Sequence, residues 1–175
     1  MLINLNKAVA YPAQIMLIRH AEKPIEKSEV LSEKGFRRAE ALAKIFDLYP
    51  SLALNGIPDY FFATKFGPGE NSRRTYLTLE PLAKRLNRQI SAIVVKEDFQ
   101  FLVQELLTNP IYNEKSIVIA WTHSYIPKMA KALGSAPQNK WDSDVFDRIW
   151  LLQFDQNGRA SSVDLPQNLL PGDSL

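Results

Sequence analysis

The stretch that decides the fold is IMLIRHAEKP, residues 15–24. Four apolar residues lead directly into Arg19 and His20, and charged residues follow. A short, continuous apolar run of this kind is typical of a strand that is buried on both faces of a sheet. We therefore expect a strand that presents an arginine and a histidine at its carboxyl end.

Apolar runs and segments of helical periodicity alternate along the rest of the chain. Strands are predicted at residues 59–65, 90–95, 116–122 and 147–155, and helices at residues 32–49, 71–87, 97–107 and 126–133. Ser32 is the expected cap of the first helix, with Phe36 on its buried face, and Pro81 predicts a kink or break in the second. This alternation predicts an α/β fold, a three-layer α/β/α sandwich with a mostly parallel central sheet. An extended tail, residues 159–175, is expected at the end.

Length and composition limit the function classes. A chain of 175 residues predicts one domain, residues 1–175, with a core at about 15–155. The formal net charge of +2 and the lack of a basic stripe argue against nucleic acid as a partner. The absence of cysteine excludes disulfides and thiolate chemistry. No apolar run is long enough for a membrane span, and residues 1–14 do not resemble a signal peptide, so a cytoplasmic protein is expected.

The sequence has two histidines, and each follows a predicted strand. His20 comes after residues 15–18 and His123 after residues 116–122, so both are expected at the carboxyl edge of the sheet, where ligands bind in such folds. Each could instead be a polar residue that only ends a strand. Zinc usually needs three or four ligands; Glu22 could add one, but the neighbouring arginines would repel a cation. Neither a metal nor another cofactor is predicted.

Arginines near these positions favour an anion. Arg19 adjoins His20, and Arg73 and Arg74 lie near a predicted helix N-terminus, which attracts phosphate. Successive helical residues point about 100° apart, so the two arginines are not expected to face one pocket. A neutral imidazole could attack phosphorus while the cations offset the developing charge, and water could then release the phosphate.

Four segments in order resemble the histidine phosphatase superfamily, which has the phosphoglycerate-mutase-like fold. They are LIRHAEKP (17–24), LSEKGFRRAEALA (31–43), RTYLTLEPLA (74–83) and IVIAWTHSYIPKMAKALG (117–134). The resemblance implies a phosphatase acting on a small phosphorylated substrate. It implies that His20 is the phosphorylated nucleophile, that Arg19 and Arg74, rather than Arg73, bind phosphate, and that His123 completes the pocket.

Three departures from the family pattern bear on substrate binding. Ala21 stands where many members have glycine, and the segment TKFGPGENSRR, residues 64–74, replaces a shorter loop. Ser124 stands where acid phosphatases of the other branch carry an aspartate that donates a proton. Lys65 and Ser124 are further candidates for contact with substrate.

The general acid is left open. Glu97, Asp98, Glu105 and Glu22 are the candidates, because a leaving oxygen needs a proton and a carboxyl group usually supplies it. One alternative is a protein phosphohistidine phosphatase, which would need no dedicated acid because a protonated imidazole leaves readily. Another is a catalytically silent member of the family that binds a phosphorylated ligand.

Overall fold

Six strands form a single sheet in the computed structural model, which describes residues 11–67, 72–136 and 140–174. The strands run in the spatial order β3-β2-β4-β1-β5-β6. Their bounds are β1 Gln14–Arg19, β2 Tyr60–Thr64, β3 Ile90–Val94, β4 Ser116–Trp121, β5 Arg148–Phe154 and β6 Ala160–Pro166. The four strands from β1 to β4 are mutually parallel, whereas β5 and β6 are antiparallel to their neighbours. The mostly parallel sheet is confirmed.

Helices cover both faces of this sheet. Their bounds are α1 Glu33–Leu42, α2 Ile45–Leu48, α3 Arg74–Arg85, α4 Phe99–Thr108 and α5 Ile126–Ala132. Successive residues of a strand point to opposite faces, so Leu17 packs in a core with α4 and α5, and Ile18 packs in a second core with α1, α2 and α3. The structure therefore has three layers, as predicted.

Two of the helix predictions are wrong in detail. Helix α3 runs through Pro81 without a break, because Leu79 and Leu82 on either side of the proline are buried against the sheet and hold the helix together. The first predicted helix is divided between α1 and α2. Phe36 is 44% exposed, because α1 buries the face that contains Gly35, Arg38 and Leu42.

The predicted extended tail is a part of the sheet and of the ion-pair network of the protein. Residues 160–166 form the edge strand β6. The segment after it, residues 167–174, folds back so that Asp173 accepts hydrogen bonds from the buried Arg38 guanidinium at 2.6 and 2.9 Å. The side chains of Arg38 and Asp173 are each only 3% exposed. This segment, called the 167–174 segment below, therefore ties the end of the described chain to helix α1.

No helix in the described part of the chain combines the length and apolar character that crossing a membrane requires. The predicted absence of a signal peptide concerns residues 1–14, of which 1–10 lie outside the described residues. The same holds for residues 68–71 of the segment that departs from the family pattern.

Candidate active site

The two histidines of the chain lie at the carboxyl edge of the parallel strands. Strand β1 pairs with β4 so that Arg19 lies opposite Trp121, and the His20 backbone N–H donates to the Trp121 carbonyl at 3.2 Å. His123 follows two residues later on the β4 side. Parallel pairing of β1 and β4 therefore brings together two residues that are 103 positions apart in sequence, as the strand pattern predicts.

His20 is buried, with 5% of its surface exposed. Its Nδ1 lies 2.7 Å from the carbonyl oxygen of Ala21. A carbonyl only accepts, so Nδ1 carries the proton and Nε2 keeps its lone pair. Burial lowers the pKa of His20 to about 3, with smaller contributions in the same direction from Arg19, Arg74 and the ionisable His123, and it outweighs the opposing effect of the hydrogen bond to Ala21. The imidazole is thus a neutral base at neutral pH, with its unprotonated nitrogen away from the backbone.

Arg19 is held by the loop that leads into β5. One guanidinium nitrogen, Nη1, donates to the carbonyls of Ser143 at 2.6 Å and Val145 at 2.9 Å, and the guanidinium lies 3.8 Å from the centre of the Phe146 ring. Burial lowers the pKa of Arg19 to about 10, so it remains a cation at neutral pH. These contacts fix the position of the charge next to His20.

Arg74 is the first residue of α3, and Arg73 is the residue before the helix. Nη1 of Arg74 donates to the Ser28 carbonyl at 3.2 Å, and burial lowers the pKa of Arg74. Arg73 is exposed, and its guanidinium lies 5.4 Å from the centre of the Phe66 ring. The expectation that the two arginines do not face one pocket agrees with this arrangement, and Arg74 is the one whose charge acts on His20.

Thr78, one turn into α3, links the end of β1 to the start of this helix. Its hydroxyl accepts from the Ala21 backbone N–H at 2.8 Å and donates to the Arg74 carbonyl at 2.7 Å. The residue after His20 is therefore bonded to the helix that begins at Arg74. Thr78 is not among the predicted site residues, although its position four residues after Arg74 places both on one helix face.

A cavity of about 680 Å³ opens beside Arg74. It is lined by residues 23–29 and by Ser72 and Arg74. The charged run 22–29 is thus joined to the start of α3. The Arg73 N–H, which donates to the Glu29 carbonyl at 2.9 Å, adds a second link between them. Arg74 is the residue that this cavity shares with the predicted phosphate pocket, whereas Arg19, His20 and His123 are not among its lining residues.

His123 is partly buried. Burial, followed by the positive charges of Arg19, Lys23 and Lys140, lowers its pKa. Both histidines are therefore neutral at neutral pH, and the charged side chains that shift the pKa of either are all arginines or lysines. The arrangement is suited to an anion. Among the described residues, no group of three or more histidines, aspartates or glutamates is placed to hold a metal ion.

Glu22, one of the four candidate acids, does not have the properties of a proton donor. Two side-chain nitrogens of Arg38 contact the Glu22 carboxylate at 2.8 to 3.1 Å, and Lys34 lies 3.4 Å away. Burial opposes ionisation, but the hydrogen bonds and charge of Arg38 outweigh it and lower the pKa of Glu22. A carboxylate held ionised in this way cannot donate a proton near neutral pH.

The other three candidate acids lie on the side of α4. Glu97 and Asp98 are exposed and line a cavity with Lys65, and the ion pair with Lys96 lowers the pKa of Glu97. Glu105 accepts from the Asn109 side chain at 2.6 Å. None of the three is among the charged groups that shift the pKa of His20 or His123.

The two further substrate candidates occupy different places. Lys65 is exposed at the end of β2, where its backbone N–H donates to the Val94 carbonyl at 2.7 Å. Ser124 is exposed in the turn between β4 and α5, directly after His123. Ser124 is therefore adjacent to the histidine pair, while Lys65 belongs to the neighbouring cavity that contains Glu97 and Asp98.

Solved structures with the same architecture were found, although no family model and no curated protein matches the sequence. A protein histidine phosphatase, SixA, solved with tungstate, is 15% identical with a TM-score of 0.55, covering 88% of this chain and 97% of its own. A phosphoglycerate mutase from Plasmodium falciparum is 14% identical with a TM-score of 0.60, covering 93% and 96%. This chain has the histidine phosphatase fold.

A third structure with the histidine phosphatase fold is a mycobacterial glucosyl-3-phosphoglycerate phosphatase. It is 10% identical, with a TM-score of 0.55, and the match covers 88% of this chain and 97% of the other. The predicted phosphoglycerate-mutase-like fold is thus confirmed at the level of chain architecture.

Proposed function

We propose that this protein is a phosphatase that hydrolyses a phosphomonoester through a phosphohistidine intermediate on His20. The observation that carries the proposal is the state of the His20 imidazole. It is neutral and buried, its Nδ1–H is fixed on the Ala21 carbonyl, and the charges of Arg19 and Arg74 act on it. A nucleophilic nitrogen among cations is the arrangement that an in-line attack on a phosphate dianion requires.

The reaction takes place in two steps that share the same phosphoryl group. In the first, the Nε2 lone pair attacks phosphorus, the P–O bond to the leaving group breaks, and the leaving oxygen takes up a proton. In the second, a water oxygen attacks phosphorus, its proton is lost, and the P–N bond breaks with its electrons returning to Nε2. Phosphate is released and the neutral imidazole is restored.

The cationic groups act on the charge that develops on phosphorus oxygens. Arg19 is immobilised by the carbonyls of Ser143 and Val145 and by Phe146, and Arg74 by the Ser28 carbonyl. Charges that are already positioned stabilise a transition state without reorganising during the reaction. We assign phosphate binding to both arginines and to His123, which as a neutral imidazole can donate one N–H.

A protein phosphohistidine phosphatase is the second candidate. It is favoured by the carboxylates: Glu22 is held ionised by Arg38, and Glu97, Asp98 and Glu105 exert no resolved influence on either histidine. An imidazole leaving group needs no separate carboxylic acid, whereas an alkoxide does. One structure with this fold is named as a protein histidine phosphatase.

The test compares turnover of an aryl phosphate and of a phosphohistidine peptide by the purified protein. We expect no turnover by the His20→Asn variant, and a fall in kcat/KM of about 100-fold or more for Arg74→Ala, the size typical of losing one fixed charge contact. Arg73→Ala is the matched control, because this neighbouring arginine is exposed, and it should retain wild-type turnover. An acid-labile phosphoenzyme should be trapped with the wild type and with Arg73→Ala but not with His20→Asn.

The same assay separates the candidates. Replacing Glu97 and Glu105 by glutamine and Asp98 by asparagine, one at a time, should greatly reduce aryl phosphate turnover at one position if a carboxylic acid protonates the leaving group. A phosphohistidine phosphatase should retain its peptide activity in all three. Glu22 is left out of this comparison, because it is held ionised by Arg38 and its replacement would break a buried ion pair. Wild-type protein that turns over neither substrate and forms no phosphoenzyme would leave only the silent binding module.

A further inference from the structure

Three buried polar atoms near the histidine pair have no partner. Within residues 11–67, 72–136 and 140–174, the buried side-chain nitrogen and oxygen atoms without a hydrogen bond are Nε of Arg19, Nε of Arg74 and Oγ1 of Thr122. An unsatisfied buried polar group costs roughly 1–3 kcal/mol, so such groups are rare in a folded protein. Two of the three belong to the arginines already assigned to phosphate. The third atom, Oγ1 of Thr122, is therefore a candidate for the same role in binding phosphate.

Thr122 lies between two residues of the site. It follows Trp121, whose carbonyl accepts from the His20 backbone N–H, and it precedes His123. On β4, Val118 and Ala120 belong to the core shared with α3. Strand β4 ends at Trp121, and the alternation of its side chains, continued by one residue, would place Thr122 on the face where α3 begins with Arg74.

Thr122 does not cap helix α5 through its side chain. A threonine that precedes a helix often accepts a hydrogen bond from a backbone N–H of the first turn through its hydroxyl. Ahead of α5, the Thr122 carbonyl accepts those bonds instead, from the N–H groups of Tyr125 at 3.0 Å and Ile126 at 3.2 Å. The N-cap residue of α5, Tyr125, makes no side-chain cap bond either. The Thr122 hydroxyl is buried and has no role in holding the fold.

We propose that the Thr122 hydroxyl is a further ligand of the phosphoryl group, donating a hydrogen bond to a non-bridging oxygen beside Nε of Arg19 and Nε of Arg74. The assignment rests on the proposed phosphatase function. It explains why three donors, at the ends of β1 and β4 and at the start of α3, are each buried without a protein partner. A hydroxyl adds a donor without adding another positive charge to a site that already has two arginines.

The test measures two properties of Thr122→Val, which is nearly isosteric but lacks the hydroxyl. We expect calorimetric tungstate binding to weaken about 10- to 100-fold, as for a lost hydrogen bond to a charged group, with a similar fall in kcat/KM. The thermal midpoint without an anion should equal or exceed that of the wild type, because an unsatisfied buried hydroxyl has been removed. Thr122→Ser keeps the hydroxyl and should bind tungstate like the wild type.

Thr78→Val is the matched stability control. Its hydroxyl makes two buried hydrogen bonds, so this variant should melt below the wild type, in contrast to Thr122→Val. If Thr122→Val does not fold, Thr122→Ala provides the same measurement. Wild-type tungstate affinity in the variant without the hydroxyl would overturn the proposal while leaving the phosphatase function intact. A wild-type protein that neither binds tungstate nor turns over phosphate would overturn both.

Discussion

At the scale of single residues, the burial of His20 links the chemistry of the site to the stability of the fold. The pKa of a histidine in an unfolded chain is about 6.5, and that of folded His20 is about 3. Between these values the unfolded chain binds a proton that the native protein does not. The free energy of unfolding must therefore decrease as pH falls from about 6.5, and this loss continues down to about pH 3.

We predict that His20→Asn reduces this pH dependence. Asparagine can keep the donor to the Ala21 carbonyl but does not titrate. Between pH 6 and pH 5 the wild type should lose about 1 kcal/mol more of its unfolding free energy than the variant, since one proton is worth about 1.4 kcal/mol per pH unit. Urea unfolding at the two pH values measures the difference. Equal losses in both proteins would show that His20 titrates normally in the fold.

The sequence predicts the positions of some residues of the site but not of others. His20, Arg19 and His123 could be placed because each follows an apolar run, and the strand ends of a parallel sheet meet at one edge. Phe146, which stacks on Arg19, could not be foreseen, because its contact depends on the path of a loop. Arg38 did carry a signal: it recurs with the buried positions of α1, where a charged residue needs a partner.

At the scale of elements, the first turn of α1 is the support of the loop that follows His20. The Ser32 hydroxyl accepts from the Gly35 N–H at 3.1 Å, and the Ser32 N–H donates to the Glu22 carbonyl at 2.9 Å. A Cβ atom on Gly35 would lie only 2.3 Å from that same carbonyl oxygen. Glycine is thus required here by the close approach of two backbones.

We predict that Gly35→Ala destabilises the protein by about 1–3 kcal/mol, the usual range for an overpacked contact, and lowers phosphatase turnover by displacing the loop at Glu22. Alanine has the better helix propensity, so without the clash the same change would stabilise the helix by up to about 1 kcal/mol. Glu40→Ala, on the exposed face of α1, is the control and should leave both properties unchanged. Chemical unfolding and turnover of an aryl phosphate provide the two measurements. An alanine variant as stable as the wild type would contradict the close contact.

Most elements could be predicted from periodicity, and the failures have physical reasons. Strands β1 and β4 are continuous apolar runs because both of their faces are buried. The edge strand β6 has only partly buried or exposed residues, so its sequence resembles a solvated tail. Its pairing with β5 is a local hairpin closed by a turn at Asn157-Gly158, so the turn carried a signal for β6 that the polar composition of the strand obscured. Pro81 predicts a break in α3 because proline disfavours the helix interior locally. Packing of α3 on the sheet overrides that preference and keeps the helix continuous.

At the scale of the whole molecule, the 167–174 segment joins parts that are distant in sequence. Asp173 accepts from Arg38, which also binds Glu22, two residues after His20. The same segment also contacts the start of β5. The Ser174 N–H and hydroxyl donate to the Asp147 carboxylate. The Gln167 side chain donates to the carbonyls of Phe146 and Arg148. Both the loop after His20 and the loop that holds Arg19 are thus bonded to this segment or its partners.

We predict that Asp173→Asn lowers the free energy of unfolding by about 2 kcal/mol at pH 7, because a buried charge-assisted contact is lost. Burial alone would raise the pKa of Asp173, but the hydrogen bonds from Arg38 and two backbone N–H groups lower it to about 2. This stabilisation is therefore present above about pH 4 and is lost as pH falls toward about 2. Urea unfolding from pH 7 to pH 3 measures it.

The matched control is Asp47→Asn, which removes the exposed pair between Asp47 and Arg85. An exposed pair contributes roughly 0–1 kcal/mol, so this variant should stay close to the wild type. If the two aspartate substitutions had equal effects, Asp173 would not be part of a buried network.

The links from Arg19 to residues 143–145 and from Arg38 to Asp173 also determine the order in which the site can form during synthesis. Synthesis proceeds from the amino end, so a nascent chain exposes His20 and Arg19 long before the ribosome has made the residues that hold them. Strand β1 has no partner in the sheet until β4 has been made, and the guanidinium groups of Arg19 and Arg38 are not held until residues 143–145 and Asp173 have been made. In the proposed mechanism, the nucleophile is therefore among the first parts of the site to be synthesised, and the contacts that hold the site in place are among the last.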